Sequence, residues 1–174
     1  MQDKLILVDI FDRPVGSASK AECHRLGLLH RAFSVFLYHD GKMAIQQRAL
    51  EKYHSGGLWS NSCCSHPRAG EALEAAVERR LQEELNLSCP CRELFSFVYR
   101  HQFHEFLYEY EFDHVFVGDY AGEIRLNPEE AMDCKWVPFP ALAADLAARP
   151  ERYSPWFLIA APKVLAYLMS TTES

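Results

Sequence analysis

Gly70-Glu71-Ala72-Leu73-Glu74-Ala75-Ala76-Val77-Glu78-Arg79-Arg80-Leu81-Gln82-Glu83-Glu84-Leu85-Asn86-Leu87 is the stretch on which the fold turns. Leu73, Ala76, Val77, Leu81 and Leu85 recur at intervals of three and four, which gathers apolar side chains on one face of an α-helix. Most of the charges belong on the opposite face, yet Arg80 and Glu84, four residues apart, fall on or beside the apolar stripe. A guanidinium buried there needs a carboxylate or phosphate partner, so the pair is expected to point inward at a site.

Around this helix the chain reads mainly as strands. Residues 5–11 are apolar enough for a first strand. Residues 33–38 and 43–47 flank His39-Asp40-Gly41-Lys42 and read as a hairpin turning at Asp-Gly. Residues 49–59 are polar and turn-rich, run through Gly56-Gly57, and deliver the chain to Asn61-Ser62-Cys63-Cys64-Ser65-His66-Pro67; loops in such places carry function. Beyond the helix, 95–103 and 106–117 read as two further strands. The second alternates strictly, with Phe106, Tyr108, Tyr110 and Phe112 on one face and Leu107, Glu109, Glu111, Asp113 and Val115 on the other. Residues 135–137 suggest another strand and 140–149 a short helix. Ser154-Pro155 reads as an N-cap and first helical position for a last helix over 156–168, kinked at Pro162. These elements predict an α/β (α+β) fold, a mixed sheet flanked by helices, as one domain over residues 1–174.

Hydrophobic residues make up 49% and charged residues 24% of the 174-residue chain, which is globular composition and excludes a disordered or fibrous protein. A net charge of −6 argues against nucleic acid or an anionic membrane as the main partner, so an anionic substrate has to meet a local cluster of bases. Six cysteines are too few for a disulfide scaffold, and the N-terminus lacks a signal-peptide layout; reduced thiols and a cytoplasmic location are expected. The longest apolar stretch, 156–169, is interrupted by Pro162 and Lys163 and falls short of the roughly 20 residues that span a bilayer.

Neutral imidazole and carboxylate oxygen together suit a divalent cation of the zinc, manganese or magnesium type, and His24, His30, His66, Glu109 and Glu111 supply both. The plainer reading of these histidines is as scattered, solvated side chains. Cys64 offers a thiol that can move protons opposite Glu111. Cys63-Cys64 with His66 lacks a second cysteine pair at zinc-finger spacing, and Cys23, Cys63, Cys89, Cys91 and Cys134 read as inert thiols. Lys20, Arg48, Lys52 and Arg80 flank these segments and could neutralise an anion.

The helix with its preceding loop resembles the Nudix signature Gly-x5-Glu-x7-Arg-Glu-U-x-Glu-Glu-x-Gly-U, where U is aliphatic. Ser65 stands in place of the first glycine, Arg80 of the glutamate after arginine, and Asn86 of the last glycine, which depletes the carboxylates that hold metals for hydrolysis. The whole chain is more similar to the type 1 isopentenyl-diphosphate isomerase family, a Nudix-fold family. The resemblance is carried by Leu29-His30-Arg31-Ala32-Phe33-Ser34, Gln47-Arg48-Ala49, residues 59–67, Glu109-Tyr110-Glu111 and Tyr153-Ser154-Pro155-Trp156.

The resemblance implies a metal site of His24, His30, His66, Glu109 and Glu111 holding Mn2+, Mg2+ or Zn2+. A second ion, Mg2+, would be bound by the substrate diphosphate, Glu84 and the Cys64 carbonyl. It further implies that Lys20, Arg48, Lys52 and Arg80 bind the diphosphate, with isopentenyl diphosphate as the small-molecule partner. Glu111, helped by Tyr99, would donate a proton and Cys64 accept one, with the ring of Trp156 stabilising a tertiary carbocation. A monomer is expected. A Nudix diphosphate hydrolase and a non-catalytic, metal-stabilised binding domain are the alternatives; Arg80 argues against the first, Cys64 with Glu111 against the second.

Overall fold

The computed structural model describes residues 3–171. Nine strands join one mixed sheet: β1 (Lys4–Val8), β2 (Pro14–Ser19), β3 (His30–His39), β4 (Lys42–Arg48), β5 (Trp59–Ser60), β6 (Cys63–Ser65), β7 (Arg92–His104), β8 (Leu107–Asp119) and β9 (Ala131–Pro138). Four α-helices accompany them: α1 (Lys20–Leu26), α2 (Leu73–Leu85), α3 (Phe139–Ala148) and α4 (Pro155–Thr171). The α+β reading therefore holds.

β3 organises the sheet. Along one edge it runs parallel to β8 from the pair His30–Glu111 to Tyr38–Asp119. Its other edge is shared in turn by β1, β6 and β4, all antiparallel. Successive side chains of a strand face opposite ways, and this splits the core in two. Phe33, Val35 and Leu37 of β3 and Phe116 of β8 pack on Ala76, Val77, Leu81 and Leu85 of α2. Phe36, Val115 and Val117 pack on the other side against Leu142 of α3 and Phe157, Val164 and Leu165 of α4.

Several local expectations hold for the physical reasons given. The β3–β4 hairpin turns at Asp40 (φ 47°) and Gly41 (φ 73°), the left-handed pair that matches strand twist. Asn86 closes α2 at φ 54°, since asparagine is the residue after glycine that best tolerates this conformation. Glu71 and Arg79, the retained signature pair, form a two-bond fork of 2.8 and 2.9 Å. It holds the Glu71 carboxyl down at about 2.

Other expectations need correction. The first strand ends at Val8, because Asp9 accepts hydrogen bonds from the backbone of Phe11 and Arg13 and turns the chain back into β2. Phe106 belongs to the tight turn between β7 and β8 and is 66% exposed. Ser154 does precede α4 with Pro155 as its first residue, and its carbonyl accepts from Leu158, but its hydroxyl bonds Ser60 Oγ at 2.9 Å and fastens the helix to β5. α4 then continues through Pro162 to Thr171. Neither β2 nor α1 was expected. α1 nevertheless carries a sequence signal, since Ser19 and Glu22 form a reciprocal capping box and Gly27 closes the helix at φ 67°.

Candidate active site

Strand register assembles the site. On β7 and β8, Tyr99 lies opposite Glu111 and His101 opposite Glu109; on β3 and β8, His30 pairs with Glu111; on β3 and β6, Ser34 pairs with Cys64. Cys64 and Glu111 thus stand on the two strands that flank β3. Both line one cleft, together with Tyr99, Trp156, His66, Glu109, Glu84, Lys20, Arg48, Lys52 and Arg80. Of the thirteen residues singled out in the sequence only His24 and His30 do not line it, and both lie in the metal-ligand cluster beneath.

In that cluster the ligand atoms of His24, His30, His66 and Glu109 lie within 4.8 Å of one another. Ligand atoms held about 2.1 Å from one ion can lie no more than about 4.2 Å apart, so the group stands close to ligation distance and would draw in to hold an ion. The Nε2 of His30 and the Oε2 of Glu109 are buried without a hydrogen-bond partner, and His24 Nε2 lies 2.9 Å from Glu109 Oε1 but off hydrogen-bond geometry. That is costly for polar atoms unless something else fills their valence. His30 Nδ1 lies 2.9 Å from the Leu28 carbonyl, which fixes the proton there and frees Nε2 as a lone pair. Burial pushes His30 down and His66 well down from the usual imidazole value, towards the neutral form a metal requires. The residues fit a divalent ion. Glu111 Oε1 adjoins the group, 3.1 Å from His66 Nε2 and 3.7 Å from His30 Nε2.

The carboxylates separate in acidity. Burial and the charge of Glu109 push Glu111 well above the usual carboxylate range, so it keeps a proton. Glu109 is driven the other way: burial opposes its charge, but the adjoining Glu111, His24 and His54 outweigh burial. A buried acid that remains protonated beside one that remains ionised is the arrangement acid catalysis calls for.

Cys64 donates to Asn61 Oδ1 at 3.0 Å and accepts from Trp156 Nε1 at 3.2 Å. Burial and the nearby Asp113 push its thiol up to about 12, against the pull of Arg48, so it rests protonated. One face of Trp156 carries the Arg48 guanidinium, 5.1 Å from the ring centroid; Tyr99 and His54 meet the ring edge to face. The Tyr99 hydroxyl is buried with no partner.

The cations are already engaged. Arg80 pairs with Glu83, with Glu84 and, at 3.4 Å, with Glu130, while Lys52 Nζ lies 2.8 Å from Glu130. The guanidinium nitrogens Nε of Arg48 and Arg80 are nonetheless buried without acceptors, which suits an incoming anion. Lys20 lies 4.6 Å over the Tyr53 ring, and burial with the neighbouring charge of Lys52 lowers its pKa.

The chain is similar to known proteins over most of its length. The NUDIX domain matches residues 28–157. Isopentenyl-diphosphate Delta-isomerase 2 of Aromatoleum aromaticum is 48% identical over 167 residues, covering 95% of this chain and 88% of that protein. The enzyme of the same name from Photorhabdus laumondii is 49% identical over 158 residues, covering 90% and 89%. The chain belongs to the isopentenyl-diphosphate Delta-isomerase family. A crystal structure from Deinococcus radiodurans superposes on this isomerase-family chain with a TM-score of 0.70 at 26% identity, covering 84% of the chain and 90% of its own.

The site extends past the residues singled out in the sequence. Tyr53, His54, Asn61, Asp113 and Glu130 also contact the site. Asp113 shares the Glu109–Glu111 face and was legible as such, without a role. It is 1% exposed; Oδ2 accepts from Ser34 Oγ at 2.8 Å and Oδ1 has no partner. Burial, opposed by the Ser34 bond and aided by Glu109, raises its carboxyl from 3.8 to about 7.

Folded Asp113 thus holds a proton that the unfolded chain releases near pH 4, and stability is lost as pH rises from there to about 7. Asp113→Asn, which cannot ionise, is expected to be more stable than the parent at pH 8, by about 2–4 kcal/mol. The gain should vanish near pH 4. Urea midpoints at the two pH values check this, and a gain of equal size at both contradicts it.

Proposed function

We propose that the protein interconverts isopentenyl diphosphate and dimethylallyl diphosphate by moving protons between Cys64 and Glu111. The observation that carries this reading is the placement of a thiol and a protonated carboxyl on the two strands flanking β3, in one cleft, beside a cluster that fits a divalent ion. In the forward direction Glu111, with Tyr99 beside it, gives a proton to the methylene carbon of the alkene. Cys64, having first given its resting proton to water in the cleft, takes one from the carbon two away. In reverse the roles exchange, and the resting Cys64 thiol is then the donor. Trp156 supports the cationic intermediate from the wall of the cleft, an effect worth about 2 kcal/mol when desolvated.

His24, His30, His66, Glu109 and Glu111 would hold the ion, Mn2+, Mg2+ or Zn2+, which when bound would polarise the Glu111 carboxyl. Glu84 and the Cys64 carbonyl would hold Mg2+ brought with the diphosphate, and Lys20, Arg48, Lys52 and Arg80 would neutralise the phosphates. The unpartnered Nε atoms of Arg48 and Arg80 support that role. Arg80 sits among Glu83, Glu84 and Glu130, where its positive charge offsets the carboxylates a hydrolase would use to gather metal.

Six free cysteines support a reducing compartment, the cytoplasm. Among the described residues no helix is long and apolar enough to cross a membrane. One sheet spanning β1 to β9 supports a single domain among the described residues. Incubation with isopentenyl diphosphate and Mg2+ tests the reading. Dimethylallyl diphosphate without released phosphate is expected; phosphate release would favour the hydrolase instead.

A further inference from the structure

Tyr53 and His54, in the loop between β4 and β5, were not among the residues singled out in the sequence. Both reach the same atom. Tyr53 Oη donates to Glu109 Oε1 at 3.1 Å, and His54 Nε2 lies 2.9 Å from that oxygen. A carboxylate that holds a metal accepts hydrogen bonds from its other neighbours, which places the His54 proton on Nε2. His54 Nδ1 then accepts from Ser55 Oγ, 3.1 Å away. Two groups from outside the ligand cluster thus hold Glu109 Oε1, which His24 Nε2 also approaches at 2.9 Å, while Oε2 is buried with no partner.

The loop is built to hold this pose. Ser55 takes a left-handed conformation at φ 55° and Gly57 another at φ 80°. A Cβ on Gly56 would lie 2.5 Å from the Leu50 carbonyl oxygen, so only glycine fits. A non-glycine residue held at positive φ persists where its surroundings over-determine it. The His54 ring also stacks on Phe103, centroids 4.1 Å apart at 12°, and the His54 carbonyl accepts from Arg48 at 3.2 Å.

We propose that Tyr53 and His54 are positioning residues, a pair of donors that fixes one oxygen of Glu109 so that the other is presented to a divalent ion. This rests on the metal-centre reading above. Outer partners of this kind set ligand orientation, and their loss costs about 10- to 100-fold in metal affinity. Because Lys52 precedes the pair in the same loop and pairs with Glu130, the loop also joins the metal centre to the anion-binding side of the cleft.

The test uses the full chain freed of metal and titrated with Mn2+, the free ion being read by electron paramagnetic resonance, with far-ultraviolet circular dichroism to show that each variant is folded. Tyr53→Phe and His54→Ala are each expected to weaken Mn2+ binding about 10- to 100-fold. His54→Gln, which keeps an amide donor near the place of Nε2 but loses the ring stacked on Phe103, is expected to recover most of the affinity. Recovery separates the donor from packing. Parental Mn2+ affinity in folded Tyr53→Phe and His54→Ala overturns the positioning role, as does failure of His54→Gln to improve on His54→Ala. His30→Ala serves as the control: if it binds Mn2+ as tightly as the parent, the metal-centre reading falls, and this proposal with it.

Discussion

Cys64→Ala is expected to lower turnover by about 10²- to 10⁴-fold, the span that a positioned acid or base contributes, while Cys63→Ala keeps most of the activity. The two thiols are neighbours in sequence but point to opposite faces of β6. Cys63 is fully buried in the core packed on α2, where burial pushes its thiol well up. Cys64 lines the cleft and touches Asn61 and Trp156. Alanine at 64 removes the thiol from that side of the cleft. Initial rates at saturating isopentenyl diphosphate and Mg2+ provide the check, and equal loss in the two variants would remove Cys64 from the reaction.

Glu111→Gln is expected to cost as much, for a different reason, and to bind less divalent metal. Glutamine keeps the shape and the contacts near His66 and His30, but it has no acidic proton to give and is a poorer ligand. The buried, proton-holding state of Glu111 depends on the charge of Glu109 beside it, so the pair is matched to acid catalysis only while one is neutral and the other ionised. Turnover and bound metal are measured on the same sample. An inactive variant with unchanged metal content would leave the acid role and remove the ligand role; an active one would remove both.

Much of the site was legible because it lies on periodic elements. The alternation on β8 placed Glu109, Glu111 and Asp113 together, and the three-and-four spacing on α2 placed Arg80 and Glu84 beside the buried stripe. The pairing of β3 with β8 in parallel, which sets His30 beside Glu111, is a long-range choice that no local pattern encodes. α1 was overlooked although Ser19, Glu22 and Gly27 mark its ends, since seven residues show too little periodicity to read. Tyr53 and His54 lie on an irregular loop whose course is set by Ser55, Gly56 and Gly57, and Asn61 and Glu130 act through contacts 3 and 50 residues away in sequence. Such residues show their roles only once the sheet has folded.

An enzyme-borne, solvent-exchangeable proton is expected to end on the methylene carbon of the alkene, and heavy water tests this most directly. Isopentenyl diphosphate is converted in deuterated buffer, stopped at low conversion before reversal spreads label between isomers, and the product examined by mass and NMR spectra. Dimethylallyl diphosphate carrying deuterium in a methyl group is the predicted result. Product formed at the normal rate with only substrate hydrogen in its methyl groups would contradict proton transfer through Glu111 and Cys64, because it would mean that hydrogen moved within the substrate.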